Sequence, residues 1–353
     1  MKYVYFTTMF IVFILALMVN NNKYRSLTLS RFSTFIILTI IILISGFRSP
    51  NSIGDTGTYT YTYRLINVNP HLLDNSKDYG FTLIMILLNK ISRNPQILIF
   101  FTAFITNLFI ILALYKYAKP FALGIYLYFG TVLYYVTMNG IRQSMAAAIL
   151  FWAVRYVINN QWKTYFIIVI LVSTLHGSAV IFLPLYFLVR KEVWNRTFWA
   201  VFFISVMLVV AFRPMLGIIV KFLETTQYSN YGRDMANNSS SVNLIRLSVT
   251  FVPIVLAYLV KDKVRNQWPE SSVFIYMSLF NCIFMLFSTQ YLYFYRLCIY
   301  FELYNLILIS RLVHFYDKKT KMLLYTGIIT FYFIFSWYQV SLWNDYYRNV
   351  LVS

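Results

Sequence analysis

The sequence predicts an all-α, polytopic integral membrane protein with about twelve transmembrane helices, and three observations carry that class. Charged residues make up 12% of the 353 and hydrophobic ones 60%, whereas a soluble domain carries about 25% charged residues. Apolar runs of roughly 15–20 residues recur from end to end, each near the length that spans ~30 Å of hydrocarbon. Lys and Arg sit mainly in the short segments between those runs, the placement that sets topology in membrane proteins.

Taken in order, the first run, 3–19, lacks a small-residue cleavage site and is followed by further spans, so it reads as a helix and not a signal peptide. The next six spans run over 32–47, 79–92, 96–115, 121–137, 141–158 and 164–187. The last five run over 198–212, 244–260, 272–287, 295–311 and 321–340. Two loops are longer than a turn, 48–78 and 213–243. No linker divides the chain, so 1–353 reads as a single polytopic domain. No span repeats another, so the inverted-repeat pattern of secondary transporters is missing.

Basic residues orient the chain. Lys23, Arg25 and Arg31 follow the first span and belong in the cytoplasm. Alternation then places Arg190, Lys191 and Arg196 on that side, followed by Lys261, Lys263 and Arg265, and by Arg311, Lys318, Lys319 and Lys321. The N-terminus and both long loops fall outside. Span 79–92 is the weak member, with only about a dozen apolar residues. If it does not cross, the middle spans flip and the basic 190–196 loop moves outside, which charge counting disfavours.

The net charge of +19 is accounted for by these topological loops and by anionic lipid contact, not by nucleic acid. Cys282 and Cys298 lie inside apolar runs without metal-ligand spacing and read as core thiols.

Ionisable groups at membrane depth are costly, so each is a functional candidate. The first group is the outer loop "SIGDTGTYTYTYRLI", 52–66, where Thr and Tyr alternate with a period of two. It offers Arg48, Asp55, Tyr59, Tyr63 and Arg64, followed by Asp78. Asp55 sits between Gly54 and Thr56-Gly57, in a permissive turn. The second group is "NGIRQSMAAAIL", 139–150, where Arg142-Gln143 precedes a small-residue face that admits a neighbouring helix. A guanidinium there is a fork for phosphate oxygens. The third is "STLHGSAV", 173–180, with His176 deep in an apolar run.

The spans holding Arg142 and His176 form a hairpin turning near Gln161, with Arg142 nineteen residues before it and His176 fifteen after. At 1.5 Å per residue they stand about 28 and 22 Å from the turn, close to level. Charge counting nevertheless puts them toward the cytoplasmic half, away from Asp55; only the flipped topology brings all three to one side. Weaker candidates are Arg296, which opens the span carrying Glu302, and Tyr228, Tyr231 and Arg233 with Asp234 in the second outer loop. Gly-rich phosphate loops, HExxH, GxSxG and Cys clusters are all absent from the sequence.

In order, Phe47-Arg48, Gly54-Asp55-Thr56-x-x-Tyr59, Asp78-x-Gly80-Phe81, Arg142-Gln143, His176-Gly-Ser-Ala and Arg296 with Tyr300-Phe301 resemble the EpsG family of bacterial exopolysaccharide proteins, related to the Wzy-type polysaccharide polymerases. The resemblance implies a GT-C-like architecture in the bacterial plasma (inner) membrane. It also implies joining of repeat units carried on undecaprenyl diphosphate at the outer face, in exopolysaccharide, capsule or O-antigen synthesis. The expected partners are that lipid-linked oligosaccharide, membrane lipids, and chain-length regulator and flippase proteins; no cofactor is implied. The family's recurring positions fall on Arg48, Asp55, Tyr59, Arg142, Gln143, His176, Ser178 and Arg296. Asp78 departs from the pattern, which leads us to expect Glu there.

Glycosyl transfer from a lipid diphosphate needs cations for the leaving group and a base for the attacking hydroxyl. Arg142, with Arg48 or Arg296, suits the first role, and Asp55 or His176 the second; no metal-ligand carboxylate pair is present. The rival readings are a flippase of lipid-linked oligosaccharide and a membrane acyltransferase acting on sugars.

Overall fold

The computed structural model describes residues 2–19, 27–66, 78–224 and 242–342. Among the described residues every regular element is a helix. Seven helices are long and apolar enough to cross a membrane, or eight if Leu244–Leu259 and Lys261–Gln267, bent by 74°, count as one span. The difference from about twelve lies in apolar segments that are cut short: Tyr79–Ile91, Phe121–Gly130, Trp162–Leu175, Gly177–Leu188 and Arg196–Phe212.

The chain groups into two compact units, residues 1–186 with 306–353 and residues 187–305. The first unit opens with α1 (Lys2–Val19), α2 (Leu27–Gly46), α3 (Thr56–Leu65) and α4 (Tyr79–Ile91). It continues through α5 (Gln96–Tyr117), α6 (Phe121–Gly130), α7 (Leu133–Val136), α8 (Ile141–Ile158) and α9 (Trp162–Leu175). After a 3-10 turn, Gly177–Ile181, comes α10 (Phe182–Leu188), which runs from the first unit's residues into the second's. The second unit holds α11 (Arg196–Phe212), α12 (Leu216–Glu224), α13 (Leu244–Leu259), α14 (Lys261–Gln267) and α15 (Ser271–Ser288). Next, α16 (Tyr295–Leu312) runs from the second unit's residues into the first's, and α17 (Lys318–Ser341) belongs to the first.

In the first unit α5 and α8 form the centre, with α2 packed on α5 and α9 on α8. Lipid tails are as apolar as Leu, so helices here associate through close van der Waals packing and not through water exclusion. The sequence supplies the means: Ser144, Ala146, Ala147, Ala148 and Ala153 of α8 are all buried. Polar side chains then cross-link the helices. The Asn107 amide donates to Ser45 Oγ at 3.1 Å, and Tyr128 donates its hydroxyl to Asn107 Oδ1 at 3.0 Å. Tyr5 and Tyr134 donate to the carbonyls of Phe129 and Ile41 at 2.6 and 2.9 Å. In the second unit Arg246 of α13 donates to the Tyr295 hydroxyl and lies 4.1 Å over that ring.

Two local outcomes differ from the sequence expectation. The alternating 56–65 stretch forms α3, burying Thr56, Thr60 and Tyr63 along one face. A period of two is a weak signal when most of the residues are Thr and Tyr, and burial on one side selected the helical period. The second is the 79–92 segment. With 13 residues, α4 is about 20 Å long, well short of a bilayer. Just past its end, Ser92 O accepts the Tyr63 hydroxyl at 2.7 Å. Gln96 Nε2 at the start of α5 donates to the carbonyls of Gly46 and Arg48 at 2.6 and 3.1 Å. The end of α2 and the start of α5 are therefore level. Asp55, Arg142 and His176 likewise stand at one end of the unit, linked through Gly140 and Asp78.

Candidate functional site

The site is built where three helix ends meet in the first unit. On α8, Gly140 adopts a left-handed conformation (φ +57°) that starts the helix, so Arg142 projects from the first turn. On α9 the helix stops at Leu175, and His176 takes an extended conformation (φ −156°, ψ 112°) before the 3-10 turn. The third contributor is Asp78, immediately before α4.

Asp78 ties the other two together. Its Oδ2 lies 2.7 Å from Arg142 Nη1 and 3.5 Å from His176 Nδ1. Its Oδ1 accepts the backbone N–H of Gly177 at 3.1 Å. That last bond accompanies the break between α9 and the 3-10 turn: an interrupted apolar helix frees backbone donors, and the Gly177 amide is satisfied by Asp78. Burial raises the Asp78 carboxyl, but the His176 ring, the Arg142 charge and the Gly177 amide outweigh it and hold it below the ordinary carboxylate range.

Close packing of α4 on α9 makes the contact possible. A Cβ on Gly80 would lie 2.1 Å from Thr174 Oγ1 and 2.9 Å from Thr174 Cβ. Only glycine lets the start of α4, and with it Asp78, come this near to His176.

Tyr59 completes the cluster. Its hydroxyl accepts from Arg142 Nε at 3.2 Å, and the guanidinium stands 5.2 Å from its ring centroid and 6.0 Å from that of Phe81. Burial pushes the Tyr59 hydroxyl up, Arg142 opposes and Asp55 reinforces, and the net shift is upward. Arg142 thus has one edge fixed by Tyr59 and Asp78, with Nη2 making no hydrogen bond to a described residue and about a third of the side chain exposed. An oriented guanidinium with a free edge is suited to binding anionic oxygens.

The other sequence candidates separate into groups. Asp55 lies at the rim, where its Oδ1 accepts the N–H of Gly140 at 2.9 Å. Arg48 is 1% exposed and donates to Ser45 O, Met138 O and Thr56 Oγ1 at 2.5, 2.9 and 3.4 Å. Gln143 is buried behind Arg142, and Ser178 is half-buried in the 3-10 turn. Arg296 belongs to the second unit, with its guanidinium 5.2 Å from the Tyr293 ring centroid. Tyr228, Tyr231 and Arg233 lie outside the described residues. Among the described residues no three His, Cys, Asp or Glu side chains stand together as a metal site.

Asn139 was not singled out from the sequence. Its Oδ1 accepts from the backbone N–H of Asp55 at 3.1 Å and of Gly140 at 3.0 Å, and its carbonyl accepts from Ser144 Oγ at 3.0 Å. The Asn-Gly pair is a turn signal that marks such a residue.

The apolar helices and the buried polar cluster define a multi-pass membrane protein, and the comparison with protein families gives its place. The EpsG family model matches residues 31–351. The chain belongs to the EpsG family, which fits a membrane protein of polysaccharide synthesis. Comparison with curated proteins and with solved structures gave no match.

Proposed function

We propose that the protein is a polysaccharide polymerase that joins oligosaccharide repeat units carried on undecaprenyl diphosphate by metal-independent glycosyl transfer. The observation that carries this reading is Asp78 Oδ2 shared between Arg142 at 2.7 Å and His176 at 3.5 Å. One carboxylate there holds a cation suited to a diphosphate next to a ring suited to take a proton.

The chemistry follows from those positions. A hydroxyl of the acceptor sugar gives its proton to His176 as its oxygen forms the new bond to the donor's anomeric carbon. The bond from that carbon to the diphosphate oxygen breaks, and its electron pair leaves with the lipid diphosphate. Arg142 meets the charge that gathers there, through the edge that Tyr59 and Asp78 leave open. Asp78 Oδ2 stands 3.5 Å from His176 Nδ1, so its charge stabilises the imidazolium once formed and leaves Nε2 as the nitrogen that takes the proton.

The test is in vitro. Purified protein in proteoliposomes with lipid-linked single repeat units is expected to give a ladder of higher oligomers, and Arg142→Ala is expected to leave only single units. Units that cross the bilayer without growing would replace this reading with that of a flippase.

A further inference from the structure

We infer that Asp55 is a positioning residue and not the base, and that with Arg48 and Asn139 it forms a seam setting Arg142 at working height. The inference rests on the polymerase reading for its activity measurements, but not for its exchange measurements.

Two chain segments meet at the seam, 48–56 after α2 and 138–140 before α8, and side chains from each grip the backbone of the other. From the first segment, Arg48 Nη2 and Thr56 Oγ1 both donate to Met138 O, at 2.9 and 3.3 Å. Asp55 Oδ1 receives the Gly140 N–H at 2.9 Å. From the second segment, Asn139 Oδ1 receives the Asp55 N–H at 3.1 Å. The exchange between Asp55 and Asn139-Gly140 is reciprocal, as in a capping box.

Both glycines of the seam are in the left-handed region, Gly54 at +47° and Gly140 at +57°. A Cβ on Gly54 would stand 2.3 Å from Asn139 Oδ1, so the two segments are as close as glycine permits. Gly140 is the last residue before α8, and Arg142 lies two positions on. What fixes Gly140 therefore fixes the start of the helix that carries Arg142.

Asp55 does this as a carboxylate at a helix N-terminus, where an acceptor for an orphan amide is needed. Arg48 does it from a buried position, gripping the carbonyls of Ser45 and Met138 at once. The space beside it, lined by Thr102, Thr106, Asn107 and Thr137, is too narrow for a water molecule. In this conformation no phosphate reaches that guanidinium.

The test compares shape with charge at position 55. Asn at 55 keeps an oxygen for the Gly140 amide and loses the carboxylate; Ala loses both. Hydrogen exchange of the 138–142 and 53–56 amides in nanodiscs, read without substrate, is expected to rise at least tenfold in Asp55→Ala and in Asn139→Ala. In Asp55→Asn it is expected to stay within threefold of wild type. With lipid-linked repeat units, kcat is expected to fall at least tenfold in the two Ala variants with KM within threefold. Asp55→Asn is expected to restore most of that loss with an unchanged pH profile.

Asp55→Asn as inactive as Asp55→Ala, with its amides still protected, would make the carboxylate a chemical participant and overturn the inference. So would wild-type exchange in both Ala variants. A wild-type protein that makes no oligomers would instead overturn the polymerase reading, and the exchange result would still decide the seam.

Discussion

Replacing Asp78 by Asn removes one charge while keeping the side chain's size, and comparing it with and without His176 separates what the shared carboxylate does for that ring from what it does for Arg142. In the proposed reaction the ring becomes an imidazolium 3.5 Å from Asp78 Oδ2. At an effective dielectric constant of about 20, opposite charges at that separation attract by about 5 kcal/mol. The His176 and Asp78 side chains are 25% and 11% exposed, so solvent screening reduces this to about 2–3 kcal/mol. Each 1.36 kcal/mol is a factor of ten in rate, and the expected fall in kcat is roughly 30- to 150-fold. The assay is the initial rate of oligomer formation from lipid-linked single units in proteoliposomes. The same substitution in a His176→Ala background is expected to cost far less, because residues that act through one another are not additive. A rate within threefold of wild type for Asp78→Asn, or an equal loss with and without His176, would refute the assignment of His176 as a base supported by Asp78.

Three further outcomes are expected. Tyr59→Phe removes the oxygen that accepts from Arg142 Nε; a net loss of about 0.5–1.5 kcal/mol gives a two- to tenfold lower kcat by the same rate assay. Gly80→Ala forces α4 away from Thr174 and separates Asp78 from His176. A thermal melt in detergent is expected to show lower stability, and the rate assay a loss of activity no smaller than that of Asp78→Asn. The Asp78 carboxyl is held below its ordinary value of 3.8, so its stabilisation is present above that pH and lost as pH falls through the lower folded-state value. Melts of wild type and Asp78→Asn are expected to differ most near neutrality and to converge only below about pH 4.

The sequence carried the helical class because apolar runs and sparse charge are properties of composition. It also carried the level of Arg142 with His176, because a tight hairpin makes residue counting a ruler. The length of each crossing was less legible. Hydropathy sees an unbroken apolar run from 164 to 187, whereas His176 leaves helical geometry and Gly177 gives its amide to Asp78. That partner comes from 99 residues away, and nothing local announces it. The same holds for Asp78 itself, which reads as the residue before a short helix until α4 closes on α9. The setting of Arg48 was hidden for a related reason: a lone Arg beside a loop looks exposed, and only packing shows it gripping carbonyls from a buried position. Asn139 was hidden by its plainness, since Asn-Gly marks a turn without saying which segment the turn will hold.

The helix formed by the Thr- and Tyr-rich stretch divides cleanly into two sides. Thr56, Thr60 and Tyr63 are buried, while Thr58, Tyr61 and Arg64 form an exposed line at spacings of three. The buried set is committed: Thr56 to Met138, Thr60 to its own helix, Tyr63 to Ser92. The outward set carries none of the bonds that hold the seam or orient Arg142. A hydroxyl, a ring and a guanidinium therefore stand side by side on a face that can meet a ligand while the buried face keeps its grip on Met138 and Ser92.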